Sequence, residues 1–188
     1  MRGASSSFGI VTNIEVKTFA APKSTTVFRY NWDLSAADAA KAAQQFQKFV
    51  QGNIPQEIGL ELTIEKGSSN GRVSFILVGG WYGPADQFNA VIDPYLANLP
   101  PPSEKSVTPG TYIESVENLG SIGRLKTTGI PDSRNAFYAK SLMTPETSPM
   151  SISALNAFMN YLGNEGFTAN TVRRSKIFAS LLFMSLQS

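Results

Sequence analysis

The 188-residue sequence contains no cysteine and no histidine. Without cysteine there is no disulfide frame, no thiolate nucleophile and no cysteine-ligated zinc, and the redox compartment leaves no mark on the chain. Without histidine the commonest metal ligand and the commonest general base are both absent, so no Ser-His-Asp triad can be assembled and no metal site is expected. Neither of the glycine-rich phosphate patterns, GxxxxGKS/T and GxGxxG, occurs. The densest apolar run, Ile177 to Leu186, is about half of the ~20 residues a spanning helix requires, so no membrane partner is expected. The opening MRGASSSFGIV lacks the apolar centre of a signal peptide, and there is no N-x-S/T sequon. Sixteen Lys/Arg stand against 14 Asp/Glu, a net charge of +2, and the excess disappears without Arg173, Arg174 and Lys176 in the tail. A nucleic-acid footprint would be a basic stripe over the folded body, and none is present.

What is there suits one globular domain. Apolar residues make up 42% and aromatics 11% of the chain, with a mean hydropathy of −0.09. Ile10 to Thr18 alternates in a way that predicts a strand end buried on both sides, and Ala20-Ala21-Pro22-Lys23 interrupts it. From Ser24 the order reads strand, helix, strand, strand, helix. Thr25 to Trp32 is β-branched and aromatic. Ser35, followed by Asp38, opens a helix with Ala39, Ala42, Ala43, Phe46, Phe49 and Val50 on one stripe and Gly52 at its end. In Glu57 to Glu65 the residues Ile58, Leu60, Leu62 and Ile64 face inward, while Glu57, Glu61, Thr63 and Glu65 face outward. The turn Gly67 to Gly71 joins this run to Arg72–Trp81 as an antiparallel hairpin. Pro84 opens a helix that buries Phe88, Val91, Ile92, Tyr95, Leu96 and Leu99, and Pro100, Pro101 and Pro102 stop it. Between Ser103 and Arg134 the pattern supports a short helix or turn around Thr111 to Leu119, then loop. Asn135 to Met143 reads as another strand, and Ser151 opens a helix ended by Gly163. The sum is α+β: an antiparallel sheet with helices packed on one face.

The sharpest local signal is the small-residue loop before Phe8. Gly3, Ser5, Ser6, Ser7 and Gly9 allow a backbone to approach a ligand closely, and free N–H groups there can hold a phosphate or a flavin edge; the same loop can also be an ordinary turn. The whole run Arg2-Gly3-Ala4-Ser5-Ser6-Ser7-Phe8-Gly9-Ile10-Val11-Thr12, followed by Phe19 and Pro22, resembles the G-x-G-x-x-F-G-I-V-T segment of the FAD-linked oxidases. That family includes the berberine bridge enzyme-like proteins and the fungal gluco- and chito-oligosaccharide oxidases. Phe137-Tyr138-Ala139-Lys140-Ser141-Leu142 resembles the F-Y-x-K-S-L strand of the oligosaccharide oxidases.

The resemblance implies FAD as cofactor, contacted by Gly3, Ser5, Ser6, Ser7, Phe8, Gly9, Ile10 and Val11, and a carbohydrate substrate lined by Tyr138 and Lys140. It divides the chain into the end of a PCMH-type FAD-binding domain (1–22), an α+β substrate domain (23–170) and a divergent tail (171–188) expected to stand outside the fold. In the family a sugar C1 hydroxyl gives its hydride to the flavin and oxygen reoxidises it. The flavin is often attached through a His and a Cys, neither of which occurs here. The expectation is therefore a substrate-domain fragment that needs a separate FAD-binding half and is inactive alone. The residues by themselves leave alternatives. Glu57, Glu61 and Glu65 serve either a sugar groove, with Glu61 as a substrate contact, or a solvated face. Trp81 and Tyr82 form either a carbohydrate stacking platform or packing at a strand end, and Tyr138 is either a substrate contact or a rim aromatic. A stand-alone saccharide-binding module, and the same flavin family acting on a non-sugar alcohol or alkaloid, complete the possibilities.

Overall fold

Alternation along Thr25–Ser35 makes strand β1 two-faced: Phe28, Tyr30, Trp32 and Leu34 are buried on one side, and Val27, Arg29, Asn31 and Asp33 stand on the other. The computed structural model describes residues 10, 12–120, 147–165 and 179–183. Ser35 ends β1 and caps helix α1 (Ala36–Val50), its hydroxyl oxygen accepting from the Asp38 amide at 3.1 Å. Ala36, Ala39, Ala40, Ala42 and Ala43 are buried, so the helix lies close on the sheet, with Phe46 filling the gap beyond them.

The hairpin forms as its sequence predicts. Strands β2 (Ile58–Lys66) and β3 (Arg72–Trp81) pair antiparallel, and Gly71 takes a φ of 79°, a left-handed value that glycine adopts without strain. A 3₁₀ turn, Ala85–Gln87, follows Pro84 and leads into α2 (Phe88–Leu96), which buries Phe88, Ile92 and Tyr95. Pro94 lies within α2 and cannot donate to the helix ladder, so the helix ends within the next turn. The proline stop has a second role, since the Pro100 carbonyl accepts from Trp32 Nε1 at 2.8 Å.

Strand β4 (Glu104–Gly110) pairs with β1 where the sequence suggested no strand. It is an edge strand whose side chains are mostly exposed, so it carries no apolar alternation, and Pro109 further disguises it. Helix α3 (Tyr112–Gly120) falls where a short helix was expected, and α4 (Ile152–Asn160) begins at its Ser151 cap. Gly163 does not end that helix. It sits inside a π-helical turn, Tyr161–Glu165, where its carbonyl accepts from the Gly71 amide at 2.9 Å and a side chain would press on the Gly71 backbone at 3.3 Å. Buried Gln47 ties α1 to the start of α4, donating to the Met150 carbonyl at 3.0 Å and accepting from its amide at 2.9 Å.

The tail was expected to stand apart, yet Ala179–Phe183 forms strand β5, paired with the free edge of β2. A run of apolar residues next to an open strand edge has both the hydrogen-bonding groups and the composition to add to it. The sheet is five-stranded and antiparallel, in the order β4-β1-β3-β2-β5. Helices α1, α2 and α4 share one core with Phe28, Leu62, Phe75 and Leu77, while α3 lies against the Thr25 end of β1 on the opposite face. The strand expected at Ile10 to Thr18 is absent from the described part of that segment: residues 12–20 join no ladder, and Ile10, Ile14, Val16 and Phe19 are 92%, 73%, 69% and 85% exposed. Alternation makes a strand only where a partner edge is offered, and the described sheet offers this segment none. The strand expected at 135–143 lies outside the described residues.

Glycine at position 79 is required by the packing. A Cβ there would collide with the Gly59 carbonyl and stand 2.7 Å from Phe28 Cζ, whereas at Gly59 it would meet only the Gly80 carbonyl at 4.0 Å. Gly79→Ala is expected to lower the unfolding free energy by about 3 kcal/mol, and Gly59→Ala to change it by no more than ~0.5 kcal/mol. Urea denaturation of both variants checks the contrast; equal losses would show that β3 tolerates a side chain at 79.

Candidate functional site

With α1, α2 and α4 on one side, the other face of the sheet is where side chains remain available. Directly paired residues share a face, so the register builds this surface row by row. Thr108, Val27, Gly80 and Gly59 form one row, and Ser106, Arg29, Val78 and Glu61 the next. Glu104, Asn31, Ile76 and Thr63 follow, and Asp33, Ser74 and Glu65 complete it. Helix α3 covers the Thr25 end: Thr25 is buried beneath it, its hydroxyl donating to the Thr111 carbonyl at 2.9 Å, and Ser115 is buried too. A cavity of about 120 Å³ remains between α3 and the strands, lined by Val27, Thr108, Glu114 and Asn118 among others, too small for a sugar chain. Glu114 is occupied as a cap, accepting from the Thr111 amide at 2.7 Å and its hydroxyl at 2.9 Å, which hold its carboxyl below the usual range.

Glu61 stands half-buried in the middle of this face, as the outward reading of β2 requires. Thr63 Oγ1 donates to its Oε1 at 3.2 Å and steadies the carboxylate. Thr63, expected to face solvent beside it, is 8% exposed. Arg29 lies in the same row beyond Val78, two strands and roughly 10 Å of backbone away, fully at the surface. Sequence reasoning passed over Arg29, because a charged residue alternating within β1 looks like solvated surface.

The pair Trp81 and Tyr82 divides between the two faces. Trp81 is not available for stacking: it is 3% exposed, and its Nε1 donates to the Pro84 carbonyl at 2.8 Å. Tyr82 folds back over Gly80, where a side chain would stand 3.1 to 3.3 Å from its ring and hydroxyl. The ring centroids of Tyr82 and Tyr112 are 6.3 Å apart with planes at 50°, and burial raises the Tyr82 phenol above its ordinary pKa. Tyr112 was missed as a site residue, since nothing in the sequence brings the first turn of α3 beside the end of β3. Of the residues expected at a site, Ile10 and Glu61 are described, and the structure does not bring them together. Gly3, Ser5, Ser6, Ser7, Phe8, Gly9, Val11, Tyr138 and Lys140 lie outside the described residues.

Comparison with known proteins bears on what such a face serves. No family model matches the chain. Xylooligosaccharide oxidase of Thermothelomyces thermophilus is 30% identical over 179 residues, covering 93% of this chain and 33% of that protein. Chitooligosaccharide oxidase of Gibberella zeae is 27% identical over 176 residues, covering 88% and 32%. The chain is a homologue of the FAD-linked oligosaccharide oxidases. It spans about a third of the length of the curated relatives it matches. A solved structure of glucooligosaccharide oxidase from Acremonium strictum, described with a 6-S-cysteinyl, 8α-N1-histidyl FAD, matches with a TM-score of 0.67 at 19% identity, covering 88% of this chain and 33% of that one. The α+β fold is thus shared with this oxidase.

At the far end of the open face from Tyr82, Asp33 fastens the β2–β3 hairpin. The Ser68 hydroxyl donates to it at 2.7 Å, the Ser68 amide at 3.2 Å and Arg72 Nε at 3.1 Å, while Arg72 Nη2 reaches the Asp33 carbonyl. The Ser68 hydroxyl first, then its amide and the Arg72 guanidinium, hold the Asp33 carboxyl below the usual range. A lowered folded pKa contributes stability that is complete above the unfolded value, about pH 4, and is lost as pH falls through the folded value. Asp33→Asn is therefore expected to be less stable at neutral pH and to lose less on acidification. Urea unfolding from neutral to acid pH checks this, and parallel curves for the two proteins would contradict it.

Proposed function

We propose that this chain provides the substrate-binding α+β domain of an FAD-dependent oxidoreductase that oxidises the C1 hydroxyl of an oligosaccharide with oxygen as acceptor, and that it turns over nothing alone. The similarity to two named oligosaccharide oxidases across about nine-tenths of its length carries this reading. The exposed apolar segment supports it. Ile10, Ile14, Val16 and Phe19 lie bare along residues that join no element of the described fold, a state that suits packing against a further body. Of the residues assigned to flavin contact, Ile10 is the described one, and its 92% exposed aliphatic side chain fits apposition to a flat aromatic ring system. When bound, FAD supplies the acceptor for the hydride.

The chain's own share is to bind and orient the sugar. Glu61, an acceptor-only carboxylate steadied by Thr63, suits a hydrogen bond from a sugar hydroxyl, and Tyr138 and Lys140 complete the assigned contacts. A self-sufficient saccharide-binding module is the competing reading, and the bare N-terminal segment speaks against it.

Replacing the homologous third of xylooligosaccharide oxidase with residues 2–166 of this chain tests the proposal. The chimera is expected to retain flavin and to release hydrogen peroxide with an oligosaccharide, and this chain mixed with FAD and the same sugar to release none. A flavin-loaded chimera active only on a non-sugar alcohol would overturn the substrate assignment. Peroxide from the chain alone would overturn the division of labour.

A further inference from the structure

Search of the described residues for chemistry not absorbed above leads to one end of the open face. There Gly59 and Gly80 are neighbours in register, so two strands side by side present bare backbone. They are used differently. Gly80 is covered by the Tyr82 ring, close enough that no side chain would fit between them. Gly59 is not covered, and a Cβ there would meet nothing nearer than the Gly80 carbonyl at 4.0 Å. Tyr112, tilted against Tyr82, keeps 43% of its surface exposed. Together they make a step: an open floor at Gly59, a wall at Tyr82 and a second ring at Tyr112. Glu61 stands two residues along β2 on the same face, about 7 Å from Gly59.

We propose that Gly59, Tyr82 and Tyr112 form a secondary saccharide subsite, in which a pyranose ring removed from the reacting end lies on the Gly59 backbone and stacks on the tyrosines. This rests on the reading of the chain as an oligosaccharide-oxidase substrate domain. A saccharide is the occupant that the chemistry suits. The aromatic faces are apolar and the tyrosine hydroxyls are polar, the combination that receives a ring with C–H faces and a hydroxyl rim. None of Gly59, Gly80, Tyr82 and Tyr112 carries a charge to select an ion. The backbone of β2 and β3 is paired on both sides, so a peptide finds no free strand edge at Gly59. The subsite would make affinity grow with the number of sugar units.

Titration calorimetry of the chain with xylotriose, cellotriose and chitotriose, each against its monosaccharide, tests the assignment. At least one trisaccharide is expected to bind about tenfold more tightly than its monosaccharide. Tyr112→Leu and Gly59→Val, which respectively remove a ring and fill the floor, are expected to erase that ratio while leaving monosaccharide binding in place. Tyr82→Phe, which keeps the ring, is expected to preserve it. Circular dichroism shows whether each variant is folded. A ratio that survives both Tyr112→Leu and Gly59→Val overturns the subsite and leaves the substrate-domain reading standing. If no saccharide binds the folded chain at all, both are overturned.

Discussion

Strand β3 runs between β1 and β2, and its register with both sets everything else in the molecule. A slip of one residue would exchange the two faces, sending Phe75 and Leu77 to solvent and Ile76 and Val78 into the helices. Two features oppose such a slip. The row of apolar side chains from β1, β3 and β2 must all point at α1, α2 and α4, and the Phe28 ring lies where any side chain at position 79 would stand. The second feature is local and steric, and it pins β1 against β3 at the place where the open face becomes functional.

Once register is set, the two faces take different roles. The covered face is filled with rings and branched chains in mutual contact, such as Phe28 on Phe88 at 4.9 Å between centroids and Phe46 on Tyr95 at 5.8 Å. It acts as a stiff support. The uncovered face keeps Arg29, Glu61 and Tyr82 at fixed intervals dictated by strand spacing, so groups distant in sequence present one surface without any loop having to position them. The hairpin lock at Asp33, Ser68 and Arg72 and the Gln47–Met150 pair hold opposite ends of the same scaffold. The bare N-terminal segment stands outside this scaffold, and its apolar residues have the character of an interface with nothing yet upon it.

Elements with a clean period were legible. The outward position of Glu61 follows from its neighbours Leu60 and Leu62, the start of α1 from Ser35 and Asp38, and the hairpin from the glycines that flank its turn. The edge strand β4 was not, because a strand with little buried surface has no reason to alternate, and β5 was masked by an unbroken apolar run whose partner edge is about 120 positions earlier. The face of Tyr82 was equally hidden. Sequence spacing opposes Trp81 and Tyr82, but whether either ring is free depends on Pro84 and Gly80, which capture them differently.

The sequence by itself determined the fold class, the amphipathic character of each long element, the absence of histidine and cysteine chemistry, and the family resemblance. All are properties of composition and short-range order, which survive without coordinates. Tertiary structure alone decided which residues share the open face, that Tyr112 meets Tyr82, that Gly59 stays uncovered, and that Ile10 to Phe19 finds no place in the sheet. These depend on strand order and on contacts between distant residues, where a single backbone approach, such as Gly79 beneath Phe28, selects among arrangements that local propensity leaves equally open.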